Sequence, residues 1–237
     1  MAYELQFGPV LKYWPDIAQG ALNTLVLSAE SIALGLSIGL VAAFVRTDGP
    51  RWAGRLVGLY VEVFRNTPLL VQLFLVFFGL PLVCLSFSAS VAAFLAIALN
   101  LGAYSTEIFR AGIQAIPKTQ VEAGLALGMS RIQVIRYVVV VPALRVIYPA
   151  LTGQLTLTLL GTSIASAISA KELTAAASVV ESITFRSFET YITIAVIYIL
   201  MTFAFRFVYY LIGLWLFRRK APPRPAMADA LDGMGAA

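Results

Sequence analysis

Apolar positions run along this chain in five stretches long enough to cross a bilayer as helices, separated by polar breaks. They cover residues 20–45, 56–85, 88–109, 146–168 and 191–217. A hydrocarbon core about 30 Å thick needs roughly 20 helical residues, and residues 20–45 would reach about 39 Å, enough to cross with tilt. Gly35 and Gly39 give the first span a small-residue face suited to packing against another helix. The second span is interrupted by Arg65-Asn66-Thr67-Pro68. Residues 1–19, with Tyr3, Phe7, Tyr13 and Trp14 near Lys12 and Asp16, lack the pattern of a cleaved signal. They predict an interfacial lead-in with its aromatics at headgroup level. Residues 220–237, rich in Pro, Ala and Gly, predict a disordered tail.

The longest polar connection, 118–145, joins spans three and four. Residues 121–127 predict a short helix with Ala123, Gly124 and Ala126 small enough for another protein's backbone to approach. Gly128 permits a left-handed turn, and Ser130 is placed to cap a new helix beginning at Arg131. A helix–Gly–helix elbow carrying Glu122, Arg131, Arg136 and Arg145 is a poor span. It is a good docking surface.

Composition makes the class an all-α integral membrane protein. The chain has 237 residues, 60% hydrophobic and 12% charged, with a mean hydropathy of +0.87, whereas soluble domains carry roughly 25% charged residues. The net charge of +5 follows topology and not a nucleic-acid partner. One side carries Arg46, Arg51, Arg55, Lys118, Arg131, Arg136, Arg145, Arg218, Arg219, Lys220 and Arg224; the other carries Lys12, Lys171 and Arg186. That is eleven against three, which puts the elbow and C-terminus in the cytoplasm and the N-terminus outside. With no histidine and one cysteine, Cys84, neither a typical zinc site nor a Ser–His–Asp arrangement can be built. No Gly-x4-Gly-Lys-Ser/Thr phosphate loop is present, so the chain is not itself an ATPase.

Polar residues at membrane depth are the candidate path. Arg65 lies about 14 Å into the second span counted from Leu56 at the helical rise. Pro68 should free the carbonyl of Phe64, kink the helix and expose polar backbone, with Thr67 and Gln72 adding polar groups. The alternative is a packing kink with Arg65 snorkelling or paired with Glu62. Tyr104, Glu107 and Arg110 close the third span. Glu107 either pairs with Arg110 or receives a ligand's ammonium, and Arg110 is a snorkelling anchor. Gln154, Thr158 and Thr162 share one face of the fourth span, as interhelical glue or as the lining of a polar path. Glu30 and Arg206, lone charges near mid-membrane, predict a structural ion pair.

Four segments in order resemble the permease subunits of binding-protein-dependent ABC importers of the polar amino acid type. Glu122-Ala123-Gly124, followed after three residues by Gly128, is similar to their Glu-Ala-Ala-x3-Gly loop, and residues 126–131 match its Ala-Leu-Gly-Met-Ser-Arg continuation. The loop's expected Leu-Pro falls on Val140-Val141, with Pro142 one place late, which leaves the start of the fourth span open. Residues 63–72 resemble the family's Phe-Arg-Gly-Thr-Pro-Leu-Leu-Val-Gln run, 104–116 its Tyr-x-x-Glu-x-x-Arg segment, and 184–189 its Thr-Phe-Arg-x-Phe-Glu. Where the branch often has Lys-Asp-Thr-Ser-Leu, this chain has Leu160-Gly161-Thr162-Ser163-Ile164.

The resemblance implies a type I importer fold over residues 20–219 in the inner membrane, with Glu122, Ala123, Gly124, Leu127, Gly128, Ser130 and Arg131 coupling to a cytoplasmic ATPase dimer. It further implies a second permease subunit, identical or homologous, and a solute-binding protein outside, with ATP and magnesium held by the ATPase and no cofactor on this chain. The expected cargo is a polar amino acid. Another small zwitterion such as an opine or ectoine-like solute remains an alternative, as does an ATP-independent carrier.

Overall fold

The computed structural model describes residues 4–217, and every regular element among them is helical. In chain order these are α1 (Gly8–Leu11), α2 (Trp14–Asp48), α3 (Arg51–Arg65), α4 (Leu69–Val83) and α5 (Ala89–Gln114). After them come α6 (Lys118–Ala126), α7 (Arg131–Ile168), α8 (Leu173–Thr184) and α9 (Ser187–Leu216). Four helices, α2, α5, α7 and α9, are each long and apolar enough to cross a membrane. The fifth span exists only as the pair α3–α4, bent by 108°. The basic cluster at 218–224 and the tail 220–237 lie outside the described residues.

The helix that holds the first apolar stretch begins before it. Pro15, in the first turn of α2, needs no helical donor and has its φ pre-set, so the helix opens at Trp14. Its 35 residues reach about 52 Å, well beyond a bilayer core. The outer part packs on protein: Ile17, with Val10 of α1, is fully buried among Leu173, Ala177 and Val180 of α8. The N-terminal segment is thus partly a packed strap and not only an interfacial apron. Glu30 sits beside Ser90, Val91 and Phe94 near the N-terminal end of α5. Arg206 lines a different cavity, and no Glu30–Arg206 ion pair exists among the described residues. The expected pairing is corrected.

The α2–α5 contact forms the centre of the fold. Ala92, Ala93, Ala96, Ala98 and Ala103 on α5 are fully buried, and small side chains let the two backbones approach. A Cβ on Gly35 would stand 2.9 Å from the carbonyl of Ala98, and one on Gly39 would collide with Ser105. Ser105 donates to the carbonyl of Leu101 at 2.6 Å and that of Gly35 at 3.3 Å, so its hydroxyl is satisfied at the crossing.

The helix predicted to begin at Arg131 runs continuously through Pro142 to Ile168 and so includes the fourth apolar stretch. A π stretch, Val134–Val139, precedes the proline. A π turn bonds i to i+5 and so accommodates one residue more than an α turn. That slack fits a proline displaced by one place. The helix closes in a 3₁₀ stretch, Thr162–Ile168.

Gly39→Leu is expected to overpack the α2–α5 crossing by about 1–3 kcal/mol or more and lower the melting temperature of the detergent-solubilised protein. Gly153→Ala, where an added Cβ meets nothing within 4 Å, serves as the control and should be near neutral.

Candidate functional site

A proline break inside a membrane leaves backbone carbonyls that lipid cannot satisfy. Here Gln72 satisfies them. Its Nε2 donates to the carbonyls of Phe64 (2.7 Å) and Thr67 (2.9 Å), while its Oε1 accepts from Asn100 Nδ2 (3.0 Å). Thr67 Oγ1 donates to the carbonyl of Val63 at 2.6 Å. The Phe64 carbonyl expected to be free is therefore closed off, and Gln72, buried, braces the bend instead of facing a path. Asn66, not Arg65, takes Glu62, donating to its carboxylate at 2.9 Å. The guanidinium of Arg65 lies 5.5 Å from the centre of the Tyr104 ring, and Tyr104 donates to the Arg65 carbonyl at 3.5 Å. Arg65 is the last residue of α3, just before the bend, and lies beside Tyr104, a little past the middle of α5.

Tyr104, Gln154 and Thr158 come together with Asn100, Leu69, Ile97 and Leu157 around a cavity of about 200 Å³. This is smaller than the roughly 300–1,000 Å³ of typical small-molecule sites, so one chain supplies a wall and not a closed chamber. Thr162, on the same helix face, is fully buried and donates to the carbonyl of Leu159 at 2.7 Å, away from the cavity. Glu107 is also elsewhere. Arg110 donates to its carboxylate from Nε (3.0 Å) and Nη2 (2.6 Å), and Arg46 pairs with its other oxygen. The geometry supports the ion-pair alternative for Glu107, which ties the C-terminal ends of α2 and α5. Asn100 was not singled out from the pattern, although a lone amide in an apolar run was its signal.

The elbow folds as its residues predict, with one correction. Gly128 takes φ +78°, the left-handed turn, and Ser130 forms a capping box with Gln133. Gly124 faces inward: it is buried, and an added Cβ would stand 3.1 Å from Val134 of α7. It locks α6 to α7 and presents nothing to another protein. The outer surface consists of Glu122, Ala123, Ala126 and Arg131, with Leu127 83% and Ile132 77% exposed.

Two further clusters escaped sequence reading because their partners are distant. Glu172 caps α8, accepting from the backbone N–H of Ala175 (2.6 Å) and Thr174 (2.8 Å) and from Tyr198 (2.9 Å). Burial pushes this carboxyl above its ordinary value, against those hydrogen bonds. In the 184–189 segment, Arg186 reaches Gln6 Oε1 at 3.0 Å and buried Glu189 accepts from the Gln6 N–H at 2.9 Å. The motif clamps the N-terminal strap to the start of α9.

A helical membrane chain with a polar recess beside a broken span and an external elbow locked to one span has the build of a transport permease. The chain belongs to the family described as the binding-protein-dependent transport system inner membrane component, whose model matches residues 35–221. It is 38% identical over 200 residues to the glutamine transport system permease protein GlnP of Escherichia coli K12, covering 82% of this chain and 91% of that one. It is 33% identical over 241 residues to the octopine transport system permease protein OccM of Rhizobium meliloti (95% and 97%). With the L-cystine transport system permease protein TcyB of Bacillus subtilis it shares 35% over 161 residues (68% and 69%). A solved structure of an amino acid ABC transporter with histidines superposes with a TM-score of 0.82 at 37% identity, covering 89% of this chain and 98% of that one. The inward-facing MetNI methionine ABC transporter shares the fold alone, with a TM-score of 0.71 at 20% identity (85% and 96%). The chain is a multi-pass inner-membrane permease subunit of a binding-protein-dependent importer, with the type I fold.

Gln72→Leu strands two carbonyls and Asn100, and is expected to cost about 1–3 kcal/mol per group left unsatisfied, read as a lowered melting temperature. For Glu172 the folded state holds its proton more tightly than the unfolded chain. Its contribution to stability is therefore greatest at low pH and falls as pH rises through the ordinary carboxylate range towards the raised folded value. Glu172→Gln should flatten that part of the melting-temperature profile against pH.

Proposed function

We propose that this permease moves a polar amino acid, or a zwitterion built on one, past Tyr104, Asn100, Gln154 and Thr158, with Arg65 at the edge of the recess. The observation that carries this is the convergence of those polar side chains beside the broken span. The glutamine, octopine and cystine cargoes of its relatives support it, since all three carry an α-amino-acid unit. Gln72 and Thr67 act by holding the bend open, Thr162 by packing, and Glu107 by fixing the inner ends of two spans.

Work comes from a separate cytoplasmic ATPase dimer, which binds ATP and magnesium; this chain holds neither. Glu122, Ala123, Leu127, Ser130 and Arg131 form the docking face, with Leu127 and Ile132 its exposed apolar centre. Gly124 and Gly128 transmit motion to α7, Gly124 through its packing on Val134 and Gly128 through the turn. A second permease subunit completes the path, and a solute-binding protein delivers cargo outside. The N-terminus lies outside and the C-terminus in the cytoplasm, as the distribution of Lys and Arg requires.

Leu127→Glu, in proteoliposomes with the ATPase and binding protein, is expected to cut ATP-driven uptake at least about tenfold by burying an unpaired charge at the docking face. The permease should keep its melting temperature; uptake at the wild-type level would refute the docking face. Cys84 is exposed, and a membrane-impermeant maleimide should label it from outside in intact cells. In a Cys84→Ser background, Ser130→Cys should label only after the cells are opened.

A further inference from the structure

The two signs of charge are unequally placed around the Tyr104 recess. None of the residues lining it carries a formal charge, and the guanidinium of Arg65 is set against that lining, 5.5 Å from the centre of the Tyr104 ring. Two carboxylates stand near Arg65, but neither lines the recess. Glu62, three residues earlier, is exposed and accepts from Asn66 at 2.9 Å. Glu107 takes Arg110 on one oxygen and Arg46 on the other, with Arg65 close enough to act on it through space. Arg46, Arg65 and Arg110 against Glu62 and Glu107 make three cations to two anions, an excess of one positive charge per chain. On α7 the face that carries Gln154 and Thr158 continues to Gly161. An added Cβ there would rest 3.5 Å from Leu69, which lines the recess, so a position able to present a carboxylate is bare.

We propose that the permease sorts solutes by charge in its own right, passing amino acids of zero or negative net charge and turning away those with a cationic side chain. The proposal rests on the amino-acid cargo argued above. The recess offers one fixed cation and neutral oxygens. The Gln154 and Asn100 amides and the acceptor side of the Thr158 hydroxyl, whose proton goes to the Gln154 carbonyl, can take the single α-ammonium. A second ammonium or a guanidinium on the side chain would find no anion and would be repelled by Arg65. With water partly shut out, a like charge within roughly 8 Å costs more than about a factor of ten in affinity. An added carboxylate on the solute meets no such repulsion. Rings of fixed cations select against cations in membrane pores by the same physics.

The test measures binding of glutamate, glutamine and arginine calorimetrically to the permease–ATPase complex in detergent, without the binding protein, whose own selectivity then does not enter. Wild type should hold glutamine and glutamate about tenfold or more tightly than arginine, and the gap should narrow as salt is raised. Arg65→Gln should close most of that gap and Arg65→Lys should keep it. If Arg65 served only to brace Tyr104, its loss would weaken all three probes alike and leave the gap, which overturns the proposal. Should Arg65→Gln fail to assemble, Gly161→Asp leaves Arg65 in place and should tighten arginine about tenfold, whereas Gly161→Asn should not. Arginine held by wild type as tightly as glutamine, or no gain for arginine in Gly161→Asp, overturns the proposal. So does import of arginine or lysine at the rate of the best neutral amino acid by wild-type proteoliposomes with the ATPase and binding protein. Import of no amino acid and no octopine in those proteoliposomes would instead overturn the cargo reading itself.

Discussion

Lipid offers no hydrogen bonds, so every backbone group that a membrane helix frees must find a partner within the protein. Most of the polar side chains in this chain answer to that constraint before they answer to any ligand. Gln72 closes the carbonyls left by Pro68, and Thr158 and Thr156 return their hydroxyls to carbonyls one turn back, Gln154 and Thr152, at 3.0 and 2.9 Å. Glu172 caps the outer helix α8 and Ser130 caps α7. What remains after these commitments is a small set able to meet a solute: Asn100's remaining donor and acceptor, the Tyr104 ring with Arg65 beside it, the Gln154 amide and the acceptor side of the Thr158 hydroxyl. The path is defined by subtraction.

Close packing supplies the second part of the account. With no water to expel between helices in lipid, α2 and α5 hold together through contact area, which glycine and alanine make possible. Gly20 does the same near the N-terminal end of α2, where an added Cβ would lie 3.2 Å from the Glu172 carbonyl, and Gly124 does so at the elbow against Val134. These contacts join the N-terminal strap, the central spans and the coupling helix into one packed body. Under the proposed docking, motion delivered at Leu127 would pass to the recess through packed helices and not through loops.

Local signals carried much of this in the sequence. The elbow was legible because Gly128 and Ser130 act on their own neighbours, and so was the break at Pro68. What stayed hidden depended on partners far along the chain. Glu107 and Arg46 are 61 residues apart, Gln6 and Glu189 183 apart, and nothing local announces either contact. Hydropathy did not mark the helix start at Trp14, nor that the helix Ser130 caps at Arg131 runs unbroken into the fourth apolar stretch, since an apolar window marks what faces lipid and not where a helix begins. Small size at Gly124 was read correctly as close approach, but the approaching element is α7 of the same chain.

The central claim is that α6 and α7 move as one body under the ATPase. A Gly124→Cys/Val134→Cys pair in a Cys84→Ser background places two thiols where the helices already touch, and oxidation joins them. ATP-driven uptake in proteoliposomes, measured before and after oxidation, decides the matter. A rigid elbow predicts the same rate in both states. A rate that collapses on oxidation and returns with reductant would show that the elbow must flex, and would contradict the account.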